Sequence, residues 1–289
     1  MTAAVKIGSE AHKELFCRDF VATYTDYDPE TLPWPALDEA ALERLRTVPF
    51  WQEVLHTELR AGAIVKAFTA TIEDPVIKEA VALQGFEEAR HAALIRTMIR
   101  RYGIEVDEHA LDPIPADIET AFKDFGFGEC VDSFLGFGVF KIALQSGFLP
   151  ESMFRIFDTL MYEETRHIVF FVNWMAYRQV QRGLGARWIR GLTSLRYYIR
   201  ALKRLVGTAR RGAELQDGKN FSATQASMFL DGFTFRRFIE DCYGENRRRM
   251  TAFGDGLLRP SFLPALADMA LSSLRLWSFR RRESAGTAP

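Results

Sequence analysis

Glu87-Glu88-Ala89-Arg90-His91 and Glu163-Glu164-Thr165-Arg166-His167 read as two copies of one pentad. Each contains Glu-x-x-His, and residues three apart on a helix share a face. Each pentad can therefore present one carboxylate and one imidazole to the same ion. A single Glu-x-x-His is common on solvated helix faces. The repeat is harder to explain that way, because it uses two of the chain's five histidines.

Working outward from the pentads, apolar residues recur at spacings of three and four, the period of a helix packed on one side. Strand signals are nearly absent, with no alternating β-branched runs bounded by hairpin turns. The spacing predicts long helices over residues 49–72, up to 102, within 116–145 and over 151–182. Asp74-Pro75 separates the first two, since proline suits a first helical turn. Gly103 stops the second, and Gly147 with Pro150 marks the turn before the fourth. Irregularity is expected near Gly126 and Gly128.

A short helix is expected over residues 9–24, followed by a Pro-rich connector. Further helices are expected near 187–211, 222–253 and 262–279. The chain thus divides into a preamble (1–48), a four-helix bundle (49–182), C-terminal helices packed on it (183–280) and a disordered tail (281–289). The expected class is all-α.

The pentads fall on the second and fourth long helices. Di-metal carboxylate bundles of this form take one inward Glu from each of the other two helices. Glu58 and Glu129 are the candidates. The midpoint between Glu58 and the Glu88/His91 pair falls at Asp74-Pro75. The midpoint between Glu129 and the Glu164/His167 pair falls near Gly147. Both hairpins therefore bring their ligands into one layer.

Around Glu129 the sequence FGFGECVDSFLGFGVF is almost wholly apolar, where an isolated carboxylate is costly to bury. Two divalent ions balance the charge of four carboxylates. The mixed carboxylate–imidazole donor set suits iron or manganese, and the lack of thiolates argues against structural zinc. Glu87, Arg90, Glu163 and Arg166 adjoin the ligands. Glu87 and Glu163, four residues before the histidines, are expected to steady the ligand rings, since a ligating imidazole usually donates its second N–H to a carboxylate or carbonyl. Ordinary surface ion pairs are the competing reading.

The pattern Glu, Glu-x-x-His, Glu, Glu-x-x-His resembles that of the ferritin-like di-iron carboxylate superfamily, matched by Glu58, Glu88, His91, Glu129, Glu164 and His167. The Glu-Glu-x-Arg-His form is similar to the pentads of acyl-carrier-protein desaturases, bacterial multicomponent monooxygenases and p-aminobenzoate N-oxygenases. The likeness covers residues 49–182. It implies a ferritin-like four-helix bundle with extra N- and C-terminal helices, holding two Fe ions or a Mn/Fe pair. It also implies that those six residues are the catalytic metal ligands of an enzyme using O2 as co-substrate, and that electrons come from a separate reductase or ferredoxin. The aromatic-amine N-oxygenases carry a further histidine where this chain has Leu160. Desaturases often have Thr where it has Asp132, followed by Ser133. The Cys-x-x-Cys pairs of rubrerythrins are missing.

Small residues Gly62, Gly126 and Gly136 share the ligand face, and Phe125, Ser133, Phe137, Phe140 and Phe171 lie near it in sequence. Together they are expected to border a pocket for a small apolar organic substrate. Taken singly, each reads better as a core or close-packing residue. The expected function is an oxygenase or oxidase that hydroxylates, desaturates or otherwise oxygenates that substrate, which is free or carrier-bound. A ferroxidase and an amine N-oxygenase are the alternatives. The extra C-terminal helices favour a covered substrate over iron storage, and a monomer or homodimer is expected.

The formal net charge of −1 gives no bias toward nucleic acid. The three widely spaced cysteines form no disulfide framework. With no secretory pattern and no stretch of ~20 apolar residues, a cytoplasmic protein is expected. Residues 182–211 contain nine Arg or Lys and no acid. Such a basic amphipathic segment suits an acidic carrier protein or an anionic membrane surface, or is simply a solvated face.

Overall fold

The computed structural model describes residues 5–48, 50–107, 109–215 and 234–285. Among these residues every regular element is a helix. The helices are α1 (Glu10–Ala22), α2 (Glu39–Arg46), α3 (Trp51–Thr69), α4 (Pro75–Tyr102), α5 (Ile118–Ser146), α6 (Glu151–Gln181), α7 (Arg187–Leu215), α8 (Phe235–Met250) and α9 (Phe262–Ala285).

Local chemistry sets the bounds of the bundle helices. Asp74 caps α4 by accepting from the amides of Val76 (3.0 Å) and Ile77 (3.1 Å), with Pro75 in the first turn. Gly103 ends α4 in the left-handed region at φ 60°, and Gly147 ends α5 at φ 64°. Asp117 caps α5 through the Thr120 amide. Gly126 and Gly128 do not interrupt α5, because packing against its neighbours outweighs the weak helix propensity of glycine.

Neighbouring bundle helices run antiparallel. Gly62 of α3 lies over Glu88 and Ala89 of α4, while Gly85 lies over Val65. Phe122 near the start of α5 stacks on Phe68 near the end of α3 (4.1 Å) and meets Trp174 late in α6 edge-on (5.0 Å). At the other end Phe140 meets Phe154 (5.5 Å). Since α4 and α5 both oppose α3, they are parallel to each other, and the order is up, down, down, up.

Parallel α4 and α5 require a connection that runs the length of the bundle. The 28 residues of α4 span about 42 Å. Residues 103–117, at roughly 3.3 Å each when extended, reach about 50 Å. They follow α3: the Asp107 amide donates to Gln52 Oε1 (3.2 Å), and Arg60 donates to the Asp112 carbonyl (3.4 Å). The connection thus passes from the start of α3 to its middle before α5 begins beside its end.

Helix α1 packs on α4 and α6. Lys13 pairs with Asp74 (2.7 Å), and Phe16 packs on Phe170 (5.6 Å). Helices α7 and α8 lie on α5, and α9 lies on α8. At Gly138 an added Cβ would sit 2.2 Å from Cys242 Sγ, so the missing side chain sets how closely α5 and α8 approach. All three cysteines are free and buried.

Two further features depart from expectation. Helix α2 lies within the stretch read as preamble and connector. Asp38 caps it through the Ala41 amide (2.7 Å), and fully buried Leu45 anchors it, its carbonyl accepting from Trp51 Nε1 (2.9 Å). Helix α9 continues to Ala285, through much of the stretch read as a tail; residues 286–289 lie outside the described residues. So does most of the first half of the helix expected over 222–253.

Candidate metal centre

Glu88, His91, Glu164 and His167 are buried together, and each offers a ligand atom within 4.8 Å of the others. The antiparallel approach of α4 and α6 brings the two pentads side by side in opposite directions. His91 Nδ1 lies 3.0 Å from Glu164 Oε1 and 3.9 Å from Glu88 Oε2. His167 Nδ1 lies 3.1 Å from Glu88 Oε1 and 3.8 Å from Glu164 Oε2. Each carboxylate therefore sits between both imidazoles, whose rings are 5.5 Å apart.

Glu58 and Glu129 join the same cluster from α3 and α5. Glu58 Oε2 is 3.4 Å from His91 Nδ1, and its side chain is 13% exposed. Glu129 shares a hydrogen bond with Glu164 and feels the charges of Glu88 and Glu58. All six residues expected to form one layer are thus brought together.

The far sides of the imidazoles are held by the glutamates that precede Glu88 and Glu164, with the partners exchanged between helices. His91 Nε2 donates to Glu163 Oε2 (2.8 Å), and His167 Nε2 donates to Glu87 Oε2 (2.9 Å). Arg90 donates to Glu163, and Arg166 donates to Glu87 Oε1 (2.6 Å). The sequence places Glu87 beside His91 and Glu163 beside His167. The structure instead gives each ring a carboxylate from the opposite pentad, because α4 and α6 meet head to tail. All four supporting side chains are buried, so these are not surface ion pairs.

Further residues, outside the two pentads, complete the support. Arg166 also donates to the Phe20 carbonyl and to Thr23 Oγ1 (2.9 Å) of α1 and its cap. Tyr27 donates to Glu163 Oε2 (3.2 Å), and the Arg90 guanidinium lies over its ring at 4.0 Å. Gln84 Nε2 donates to Glu88 Oε1 (3.2 Å). Gln84 alone carried a sequence signal, being one turn before Glu88 on the same face.

The Nδ1 atoms of both histidines and Oε2 of Glu88 are buried without a hydrogen-bond partner. With each Nε2–H committed to a carboxylate, a neutral ring turns its Nδ1 lone pair toward anionic oxygens. That arrangement is repulsive unless a cation lies between the groups. In the metal-free protein, protons supply the positive charge. Burial alone lowers the pKa of His91, but Glu163, Glu164 and Glu58 outweigh it and raise it well above the usual value. His167 is likewise lowered by burial and raised more by Glu88, Glu87 and Glu164, reaching about 10. Burial lifts Glu58 to about 7 and Glu129 well above the carboxylate range. Glu164, opposed by burial but hydrogen-bonded by Glu129 and facing both imidazoles, is held near 2. A donor set that needs protons when alone fits divalent metal ions.

A cavity of about 450 Å³ opens between α3, α4 and the N-terminal connector, with Glu58 in its wall. Gly62, Ala63, Ala89, Ala92 and Ala93 give it small walls, and Asp28, Glu30, Arg96, Thr97 and Arg100 add polar ones. Of the residues expected to border a pocket, Gly62 lines this cavity. An added Cβ at Gly126 would lie 2.2 Å from the Phe171 ring, so these two pack on each other. Phe125 packs against the main core, which includes Phe137 and Phe171, while Phe140 packs in the cluster around Trp51. Ser133 is buried in α5, and Gly136 has open space where a Cβ would be.

No protein-family model, curated protein or solved structure matches the chain. Fold and site together define an all-helical bundle with a buried carboxylate–imidazole cluster able to hold metal ions. Among the described residues, no helix is long and apolar enough to cross a membrane.

Proposed function

We propose that this protein is a ferritin-like non-haem di-iron oxidoreductase that uses O2 to oxidise a small, largely apolar organic molecule. The observation carrying the proposal is the pair of buried, unpartnered Nδ1 atoms facing the carboxylates of Glu58, Glu88 and Glu164. The up, down, down, up order with one long crossover supports the superfamily reading.

Glu58, Glu88, His91, Glu129, Glu164 and His167 would hold the two irons. The reduced iron pair supplies the activation of O2 when bound. The chain's own contribution is placement and charge. Glu88 and Glu164 sit between the imidazoles, Glu87 and Glu163 fix the rings, and Arg166 and Arg90 balance those two carboxylates. Glu129, Glu164 and the two histidines would give up the protons they hold or share when ions are bound. The small-walled cavity gives an organic molecule a route to Glu58, which favours an organic substrate over iron alone. Leu160, packed with Leu94 and Ile95, adds no third imidazole on that turn, which weighs against an amine N-oxygenase. Electrons would come from a separate reductase or ferredoxin.

Loading with Fe(II) without air, followed by metal analysis, tests the site. Two irons per chain are expected, with loss in Glu88→Ala and His167→Ala; full retention in both variants overturns the assignment. O2 uptake that rises with added apolar organic molecules supports the oxidase. A large hollow oligomer that mineralises iron without any organic substrate would instead establish the ferroxidase reading.

A further inference from the structure

Helix α7 carries apolar residues on two opposite sides. Tyr197, Tyr198 and Ala201 are buried against the bundle, with Tyr197 stacked on Phe127 (5.1 Å) and Tyr198 on Phe262 (4.5 Å). On the other side Trp188, Leu192, Ile199 and Val206 are 69%, 61%, 43% and 49% exposed. These four follow a spacing of four, seven and seven residues, so they form one stripe along five turns of helix. Single exposed apolar residues are ordinary, whereas an aligned stripe marks an interaction surface.

One edge of the stripe is basic. Arg196, Arg200 and Lys203 fall between the outward and buried faces, and all three are exposed. Arg196 lies over the Tyr197 ring at 4.9 Å, and Arg200 pairs with Asp124 (2.8 Å). Asp124 is on α5, and α7 itself has no acid before residue 211. An apolar ridge beside a basic edge fits a layer that is apolar inside and anionic at its surface: aromatic and aliphatic groups enter it, while long basic side chains reach its headgroups. A second copy of the chain fits less well, because symmetric docking of this face would bring like charges together.

We infer that the outward face of α7 docks on an anionic lipid surface, so that the protein rests on a membrane without crossing it. The inference is independent of the metal site. The metal content of the bundle therefore serves as a folding control.

The test uses the full chain with vesicles of phosphatidylcholine alone and with phosphatidylglycerol added, followed by sedimentation and tryptophan emission. Binding is expected to the anionic vesicles, weaker in high salt, with a blue shift that is lost in Trp188→Phe. Lys203→Gln should weaken binding about fivefold, the effect of one basic residue near such a surface. Leu192→Glu/Ile199→Glu should abolish it while helicity and bound metal stay unchanged. Equal binding to both vesicle types, or none to either, overturns the inference. So does tighter binding to polyglutamate than to vesicles, which would assign the face to an acidic protein. A dimer in solution that Leu192→Glu disperses, without lipid binding, would assign it to a second copy.

Discussion

Glu87→Gln probes the exchange of partners between the pentads. The Glu87 side chain is completely buried, and its two oxygens serve Arg166 Nη1 at 2.6 Å and His167 Nε2 at 2.9 Å. Glutamine keeps the volume and one acceptor. It removes the negative charge and turns the other end into a donor that faces a donor. Removing one member of a buried ion pair costs roughly 3–5 kcal/mol, because the remaining charge loses its compensation. The retained acceptor places this variant at about 3 kcal/mol. For a chain of this size each kcal/mol moves Tm by roughly 2–4 °C, so a fall of about 6–12 °C is expected. Thermal unfolding with chelator present measures it without metal. A double-mutant cycle then locates the partner. Glu87→Gln should couple to His167→Asn by about 0.5–3 kcal/mol, the range for residues in contact, and more weakly to His91→Asn. Stronger coupling to His91, the neighbour one turn away on the same helix, would refute the crossed pairing.

Other expectations follow from the same geometry. Because His91 and His167 hold protons well above their usual range when metal is absent, metal uptake should release protons and tighten as pH rises from about 6 to 9; calorimetry in buffers of different ionisation enthalpy checks this, and pH-independent uptake without proton release contradicts it. In chelator, the stabilisation from the two histidines is complete below the unfolded value of 6.5 and is lost as pH rises through the folded value, about 10 for His167. Glu58 adds a loss as pH rises through about 7, whereas the contribution of Glu164 is present above 4.5 and disappears as pH falls through about 2. Metal-free Tm should therefore peak in mildly acid solution, and a peak above pH ~8 would contradict these signs. Gly126→Ala, with its Cβ 2.2 Å from the Phe171 ring, should lose about 1–3 kcal/mol by overpacking. Gly136→Ala, whose added methyl meets open space, should gain up to about 1 kcal/mol from helix propensity, so denaturation curves should move in opposite directions.

Much of the bundle was legible because its breaks are chemical. Asp74, Gly103, Gly147 and Pro150 stop or start helices by means that need no tertiary partner, and each lies where its residue type implies. The clustering of Glu58, Glu88, His91, Glu129, Glu164 and His167 was legible from periodicity, together with the requirement that two hairpins place acids at one height. Helix α2 was not, because its eight residues are too short to show a repeat against the prolines around them. The exchanged partners of His91 and His167 were not, because spacing reports neighbours on one helix and not the offset between two. Apart from Gly62, the cavity also escaped: glycines and phenylalanines on α5 met the same pattern as a pocket wall, yet Gly126 of α5 and Phe171 of α6 fill each other's space. The alanines of α4 that line the cavity look like ordinary helix formers.

The exchange between pentads also bears on when the buried cluster can assemble. A chain extended only to Tyr102 contains Glu58, Glu88 and His91, but not Glu163, which holds the His91 ring. The second hairpin alone has His167 but not Glu87. Neither half can orient its own imidazole, so under the proposed function ion capture would require both hairpins to have docked. Metal retention in truncated chains would read this directly: a chain ending before Glu163 should hold ions no more firmly than an unfolded peptide of the same composition.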